Sequence, residues 1–462
     1  MRNISRTSLV ITGLALAACA RPAVPPATQS ADAKPLHDAV HQLTSVIVYD
    51  IFSPPQASRV YAYASVAAYE TLRQGDTSYH SLAGQLHGLK PLPALPADGE
   101  VSLPLAGVHA FMTVSRALTF SRARMDSLRV AMDERFKATG IPTATYQRSI
   151  AYGDTVAARV LAWAATDRFK ESRGMPKYSV TRDEGRWIPT PPAYMDAVEP
   201  NWYTLRPFVL DTSAQFRPAA PLPFNLSKSS PFFKQAMEVY TTGKGLTEEQ
   251  RAIAAFWDCN PYVMHVQGHT MFATKKITPG GHWMGIVAIA SQQVHADMLR
   301  SAEAYARTAI ALADGFISVW EAKYWTNYIR PETVINQHID DQWLPLLQTP
   351  PFPEYTSGHS VISTAAARVL TDVFGDNFAF TDSSEMEYGL PTRAFPSFNA
   401  AANEAAISRL YGGIHFRQAI EEGQKEGAKV GALVVERVHT RPAKSVTAST
   451  STATAPAANG QH

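Results

Sequence analysis

Three short clusters between Trp320 and His415 gather the residue types that could do chemistry. The first is Lys323-Tyr-Trp-Thr-Asn-Tyr-Ile-Arg330-Pro331. The second is Pro351-Phe-Pro-Glu-Tyr-Thr-Ser357-Gly358-His359, and the third is Ser408-Arg409-Leu-Tyr-Gly-Gly-Ile-His415. Together they supply a Lys, two Arg, two His, two Ser and a Gly amide. Fixed cations and N–H donors of this kind are what a tetrahedral oxyanion requires. An imidazole adds the one side chain that both ligates and shuttles protons near neutral pH.

The spacing around each cluster indicates the element that holds it. Trp320, Lys323, Asn327 and Arg330 recur at three, four and three residues, which puts them on one helix face. Pro331 disfavours helical geometry at Arg330 and ends that helix there. Lys323 and Arg330 then lie about 10 Å apart along the axis, within reach of one anion. Their neighbours are aromatic (Trp320, Tyr324, Trp325, Tyr328), unlike a solvated basic face, and buried cations need a partner. Thr356-Ser357-Gly358-His359 precedes a helix from Ser360 to about Phe374, stopped by Gly375. A helix start offers free N–H groups and the positive dipole end to an anion, and Gly358 lets the backbone come close. A further helix, from about Ala400 to Leu410, carries Ser408 and Arg409. Gly412-Gly413 breaks it, and Ile414-His415 begins the last helix, where Gly423 and Gly427 permit close packing.

The rest of the chain reads as scaffold. From 36 to 171 the period is helical (Val60, Tyr63, Val66, Ala67, Thr71; Leu105, Val108, Phe111, Val114, Leu118), with Gly75 and Gly140 placed as stops. Residues 172–235 lose that period and are rich in Pro and aromatics. A loop so long in a compact protein is commonly functional or a lid, and Tyr194, Trp202, Tyr203 and Phe208 either line an entrance or staple it down. Thr247-Glu-Glu-Gln250 is a capping box that predicts a helix over 248–257. Helices are also expected over 283–299 and 301–329. His265 and His269, four apart, could share a helix face as metal ligands, but no Glu follows in the HExxH manner, and ordinary hydrogen-bonded histidines are the stronger reading.

The 462 residues are 45% hydrophobic with 42 basic against 40 acidic side chains. That composition is globular, and a net charge of +2 gives no basis for a nucleic-acid partner. Arg2 and Arg6 followed by the apolar run Leu9–Ala18 form a signal segment over 1–18. Leu16-Ala17-Ala18-Cys19 is similar to a lipobox, which predicts lipidation at Cys19, a flexible tether over 19–35 and an anchor on the periplasmic side of a bacterial envelope, with Ala20 indicating the outer membrane. Cys259 then has no disulfide partner. Residues 441–462 are small and polar, as expected of a disordered tail.

Taken together, Lys-x6-Arg-Pro, Ser-Gly-His and Ser-Arg-x5-His, in that order, resemble the signature shared by vanadium-dependent haloperoxidases and the type 2 phosphatidic acid phosphatase superfamily. The resemblance is sharpest over 245–435. It implies an all-α fold, a large helical bundle with long Pro-rich loops, in which 36–244 is scaffold and 245–440 the catalytic region. It further implies that His415 ligates vanadate, or is the phosphorylated nucleophile of a phosphatase. Lys323, Arg330, Arg409, Ser357 and the Gly358 amide would hold the equatorial oxygens, and His359 would be the acid/base. Trp320 and Phe352 match positions bordering a halide site, and Ser408 and Asp258 are supporting candidates. The implied cofactor is vanadate, with phosphate able to occupy the same site; the implied substrates are hydrogen peroxide, a halide and an organic acceptor. An acid phosphatase acting on phosphomonoesters, or an oxyanion-binding lipoprotein without turnover, are the alternatives. Members of the family often place an Asp four residues after the last His. Here that position is Ala419, so either a backbone carbonyl or another carboxylate, Asp258 or Glu404, is expected to orient His415, or the vanadium site is weakened.

Overall fold

The computed structural model describes residues 32–181 and 183–442. The signal segment, Cys19, most of the tether and the tail from 443 onward lie outside the described residues. The N-terminal helices are α1 (Lys34–Tyr49), α2 (Pro54–Leu72), α3 (Leu103–Leu118), α4 (Arg122–Ala138), α5 (Thr143–Ala164) and the short α6 (Phe169–Arg173). After the long loop come α7 (Pro231–Lys244), α8 (Glu248–Phe256), the hairpin β1 (Val263–Gln267) and β2 (Thr270–Thr274), and α9 (Pro279–Gln293). The C-terminal part holds α10 (Met298–Thr326), α11 (Pro331–His338), α12 (Gly358–Phe374), the hairpin β3 (Phe380–Asp382) and β4 (Arg393–Phe395), α13 (Phe398–Tyr411) and α14 (Arg417–Arg437). Among the described residues the fold is all-α apart from two antiparallel hairpins.

Helix α10 is the central post. It is buried along nearly its whole length and packs against α2, α9, α12 and α14. A helix buried on every side belongs in the core of a large bundle, and its Ala-rich sequence lets four neighbours approach. Helix α14 lies hard against α12. A Cβ on Gly423 would sit 2.9 Å from the Ser360 Cβ and 3.0 Å from the Ser357 carbonyl oxygen, and one on Gly427 would strike the Val361 carbonyl. The two glycines therefore set the depth at which the start of α12 is held. No helix of the described residues is long and apolar enough to cross a membrane.

Several local expectations are revised. Helix α10 ends at Thr326, one turn before Arg330. Asn327 adopts the left-handed conformation (φ 47°, ψ 43°) and its N–H bonds the Lys323 carbonyl, a cap that Asn tolerates better than most side chains. Arg330 is the extended N-cap of α11, with Pro331 in its first turn, so Lys323 and Arg330 do not share a helix face. His415 likewise precedes the last helix, which starts at Arg417. His265 lies on β1, not a helix, where it bonds Thr274 at 2.8 Å, and Gly268 turns the hairpin with a positive φ of 57°. The predicted helix over 283–299 breaks after Gln293, and Asp297 caps α10 from the following connector.

The long loop is fastened down rather than free. Trp187, Trp202 and Phe208 are buried, whereas Tyr194 and Tyr203 are exposed. Asp314 of α10 accepts the backbone N–H groups of Phe208, Val209 and Leu210 at 2.7, 2.7 and 3.0 Å. The Val198 carbonyl accepts from the Trp320 indole at 3.2 Å and the Tyr324 hydroxyl at 2.6 Å. Trp202 and Phe208 staple the loop while Tyr194 and Tyr203 face solvent, and none of these four lines the cavity described next.

Candidate active site

The three clusters meet where α12 begins. Ser357 caps α12, its side chain accepting the Ser360 N–H at 3.4 Å, and its own N–H donates to the Ala419 carbonyl of α14 at 3.0 Å. Gly358 and His359 are the first two residues of the helix. A cavity of ≈ 40 Å³ opens there, lined among others by Trp320, Phe352, Gly358, His359, Arg409 and His415. Nothing in the protein lies within 4 Å of a Cβ built on Gly358, so its missing side chain leaves room on the cavity side.

His415 is held from two sides. Its Nδ1–H donates to Oε1 of Glu354 at 2.8 Å, and Arg330 Nη1 lies 3.2 Å from its Nε2. With Nδ1 committed to a carboxylate and Nε2 facing a guanidinium, the network assigns the proton to Nδ1 and leaves Nε2 as a lone-pair donor. The residue that orients the ring is therefore Glu354, which the sequence reading passed over. Asp258 instead pairs with Lys276, and Glu404 pairs with Arg393 and accepts from the Trp257 indole. Glu354 sits in the second cluster, beside Pro353 and Tyr355. No spacing signal links Glu354 to His415, because the two meet only across the fold.

The cations are buried and tied to backbone carbonyls. Lys323 gives its ammonium hydrogens to the carbonyls of Pro353, Glu354 and Thr356 at 3.0, 3.0 and 2.6 Å. It clamps the segment leading into α12 and stands behind the cavity lining. Arg330 donates from Nε to Phe352 at 3.0 Å and from Nη1 to Ile414 at 2.8 Å, while its buried Nη2 has no partner. Arg409 donates from Nε to Ser408 Oγ at 2.9 Å and from Nη2 to the Trp257 carbonyl at 2.6 Å. Ser408 thus aims the guanidinium, and Asp258 acts on it through charge. The Phe352 ring has the Lys323 and Arg330 charges each 5.1 Å from its centroid and packs on Trp320 at 5.0 Å, a cation–π arrangement that fixes the ring.

Burial and mutual repulsion dominate the electrostatics. Loss of water holds His359 and His415 well below the usual imidazole range, with Arg409 adding to the effect on the first and Arg330 on the second. Burial lowers Lys323 strongly and Arg330 to about 10. The carboxyls of Glu354 and Glu426 are pushed the other way, each to about 7, again by burial first. Glu426 accepts from Ser318 and Thr356, both at 2.7 Å. His359 Nε2 is buried and has no partner. Donors and lone pairs left open around a cation-rich cavity suit a small anion, which would offset the repulsion.

Comparison with known proteins agrees with this geometry. The family model for the VCPO second helical-bundle domain matches residues 303–443, a span that contains all three clusters. No curated protein sequence matches the chain. Among solved structures, a bacterial vanadium-dependent chloroperoxidase in its holo form is 16% identical with a TM-score of 0.65, covering 84% of this chain and 93% of that one. Its apo form gives 16% and 0.61 over 82% and 92%; at that identity the likeness concerns the fold. A structure described as the first bacterial vanadium-dependent iodoperoxidase is 49% identical with a TM-score of 0.84, covering 88% of this chain and 97% of that one. Identity at that level along almost the whole of a solved relative, on top of the shared helical fold, makes this chain a member of the vanadium-dependent haloperoxidase family.

Proposed function

We propose that the chain oxidises iodide with hydrogen peroxide at a vanadate held by His415. The observation that carries the reading is the His415 ring, its Nδ1–H on Glu354 and its Nε2 free of a proton, in the same cavity as His359, whose Nε2 is unpartnered. The residues present fit vanadate: a neutral imidazole ligand, the unpartnered Nη2 of Arg330, the guanidinium of Arg409, and the open backbone at Gly358. Bound vanadate supplies a Lewis acid that activates hydrogen peroxide toward halide without changing its own oxidation state.

The chain's own residues do the rest. Arg330, Arg409 and the first N–H groups of α12 compensate the oxyanion charge in a site shielded from water, where such contacts are strongest. Lys323 contributes its charge from behind and fixes the segment 353–356. His359, kept neutral by burial and the Arg409 charge, takes a proton at Nε2 from the incoming peroxide and returns it to the departing oxygen. Trp320 and Phe352 give one wall of the cavity an apolar face for a polarisable halide.

Iodide is favoured because the 49% identical relative is described as an iodoperoxidase. A cavity of ≈ 40 Å³ suits small inorganic species better than a bulky phosphomonoester, since pockets for organic ligands commonly enclose about 300–1,000 Å³. Anchoring through a lipid on Cys19, at the periplasmic face of the envelope, belongs to the same proposal and rests on the lipobox; retention of the full chain in the membrane fraction, lost in Cys19→Ser, tests it. The central test is oxidation of iodide, bromide and chloride by the purified chain with and without orthovanadate. Peroxide-dependent iodide oxidation that requires vanadate is expected. Phosphomonoester turnover without vanadate, and no halide oxidation, would overturn the reading.

A further inference from the structure

Cys259 borders the same cavity as His359, Arg409 and His415, although it is buried. It belongs to a group of its own. Its Sγ lies 3.3 Å from His282 Nδ1 and 3.7 Å from Glu385 Oε1, and that carboxylate is 2.9 Å from the same ring nitrogen. The other ring nitrogen meets Asp382 at 2.8 Å, and the Trp257 indole stacks on the imidazole at 4.5 Å. The sulfur, Nδ1 and carboxylate atoms lie close enough together for a metal ion. Yet each ring nitrogen already faces a carboxylate, and no nitrogen or carboxylate oxygen of the group is buried without a partner. The group is complete as an imidazolium between two acids, and nothing in it calls for a metal. Cys259 is the one member of the group that lines the cavity, and the buried, unpartnered His359 Nε2 marks that cavity as one where a ligand binds.

We propose that Cys259 is a modification site, oxidised to the sulfenic acid by the hypohalous acid made beside it, so that turnover inactivates the enzyme from within. This rests on the haloperoxidase reading. The sulfur lone pair attacks the halogen of HO–X, the O–X bond breaks, and the hydroxide so released takes up a proton to leave as water. The thiol proton departs toward Glu385, giving a sulfenyl halide. Water then displaces halide from sulfur. The sum is R–SH + HOX → R–SOH + H⁺ + X⁻: sulfur loses two electrons and the halogen returns to halide. Burial pushes the Cys259 thiol up to about 11. Hydrogen peroxide, which needs the thiolate, is then a poor oxidant for it, whereas the far more electrophilic HOX attacks the thiol.

The test uses the full chain loaded with orthovanadate, and follows both initial rate and the chemical state of Cys259 by peptide mass and by dimedone trapping. With peroxide and iodide together, the Cys259 peptide gains one oxygen or a dimedone adduct as activity decays. With peroxide alone, or with vanadate left out, it stays a thiol. Cys259→Ser and Cys259→Ala start at the wild-type rate and hold their activity for several-fold more turnovers. Wild-type protein that decays with Cys259 still a thiol overturns the proposal even if both variants fail to fold, and so does a folded variant that decays on the wild-type course. A wild type with no halide turnover from the outset sinks the haloperoxidase reading and this one with it; halide turnover with an intact thiol sinks this one alone.

Discussion

Glu354 and His415 form the hinge of the site: one carboxylate oxygen accepts the ring Nδ1–H at 2.8 Å and the Phe416 N–H at 2.9 Å. Ring tautomer and backbone position are thereby set by a single buried side chain. Removing the charge while keeping an acceptor, in Glu354→Gln, is expected to weaken orthovanadate binding by about 10–100-fold, the usual cost of losing an outer partner of a metal-ligating histidine. Glu354→Ala leaves two buried N–H groups unpaired, on His415 and Phe416, and costs about 1–3 kcal/mol of stability or more besides. Titration calorimetry with orthovanadate and denaturant melts separate the two effects. Unchanged affinity in Glu354→Gln would show that the ring does not depend on this partner.

His359 is the group whose loss should separate binding from turnover. His359→Ala is expected to cost about 10²–10⁴ in kcat, the range of a positioned acid/base, while orthovanadate still binds. Steady-state iodide oxidation beside direct binding measures both, and a variant that loses binding in proportion to rate contradicts the acid/base role.

Two glycines predict opposite outcomes. At Gly358 an added methyl meets no protein atom within 4 Å, so Gly358→Ala should fold normally and gain up to about 1 kcal/mol from a stiffer unfolded chain. It should bind orthovanadate more weakly, because the methyl occupies space beside the anion. At Gly427 the methyl strikes the Val361 carbonyl, and backbone cannot step aside. Gly427→Ala is expected to destabilise by about 1–3 kcal/mol, as overpacking does. Thermal melts of the vanadate-free proteins rank the two, and the reverse order would refute the packing argument.

Glu426 gives a pH signature. Burial raises its carboxyl from 4.5 to about 7 in the folded chain, with the Ser318 and Thr356 hydroxyls and the Lys323 charge opposing. The folded state therefore holds the proton more tightly than the unfolded one. This stabilisation is complete below 4.5 and is lost as pH rises through about 7. Glu426→Gln has no such proton to lose, so its stability relative to wild type should improve with pH across that window and level off above it. The shifted histidines titrate in both proteins and cancel in the difference. Urea melts of vanadate-free protein across the window would show a flat difference if the carboxyl is not buried as described.

Local sequence was enough for the elements that punctuate the chain. Thr247 and Gln250 form the capping box they spell, Gly375 stops α12 with a φ of 103°, and Ser357-Gly358-His359 opens it. These features depend on neighbours within a few residues, so one-dimensional spacing captures them. It also carried the three clusters, because residue type and order alone define them.

What spacing could not decide was anything set by contacts across the fold. Asn327 ends α10 early because it can enter the left-handed region, so Arg330 reaches the site from an extended segment and not from the Lys323 helix. Glu354 reaches His415 from 61 residues away, and Lys323 spends its hydrogens on carbonyls rather than lining the cavity. The residue types came from the chain; their partners came from packing, since a buried charge takes whichever group the bundle brings within reach.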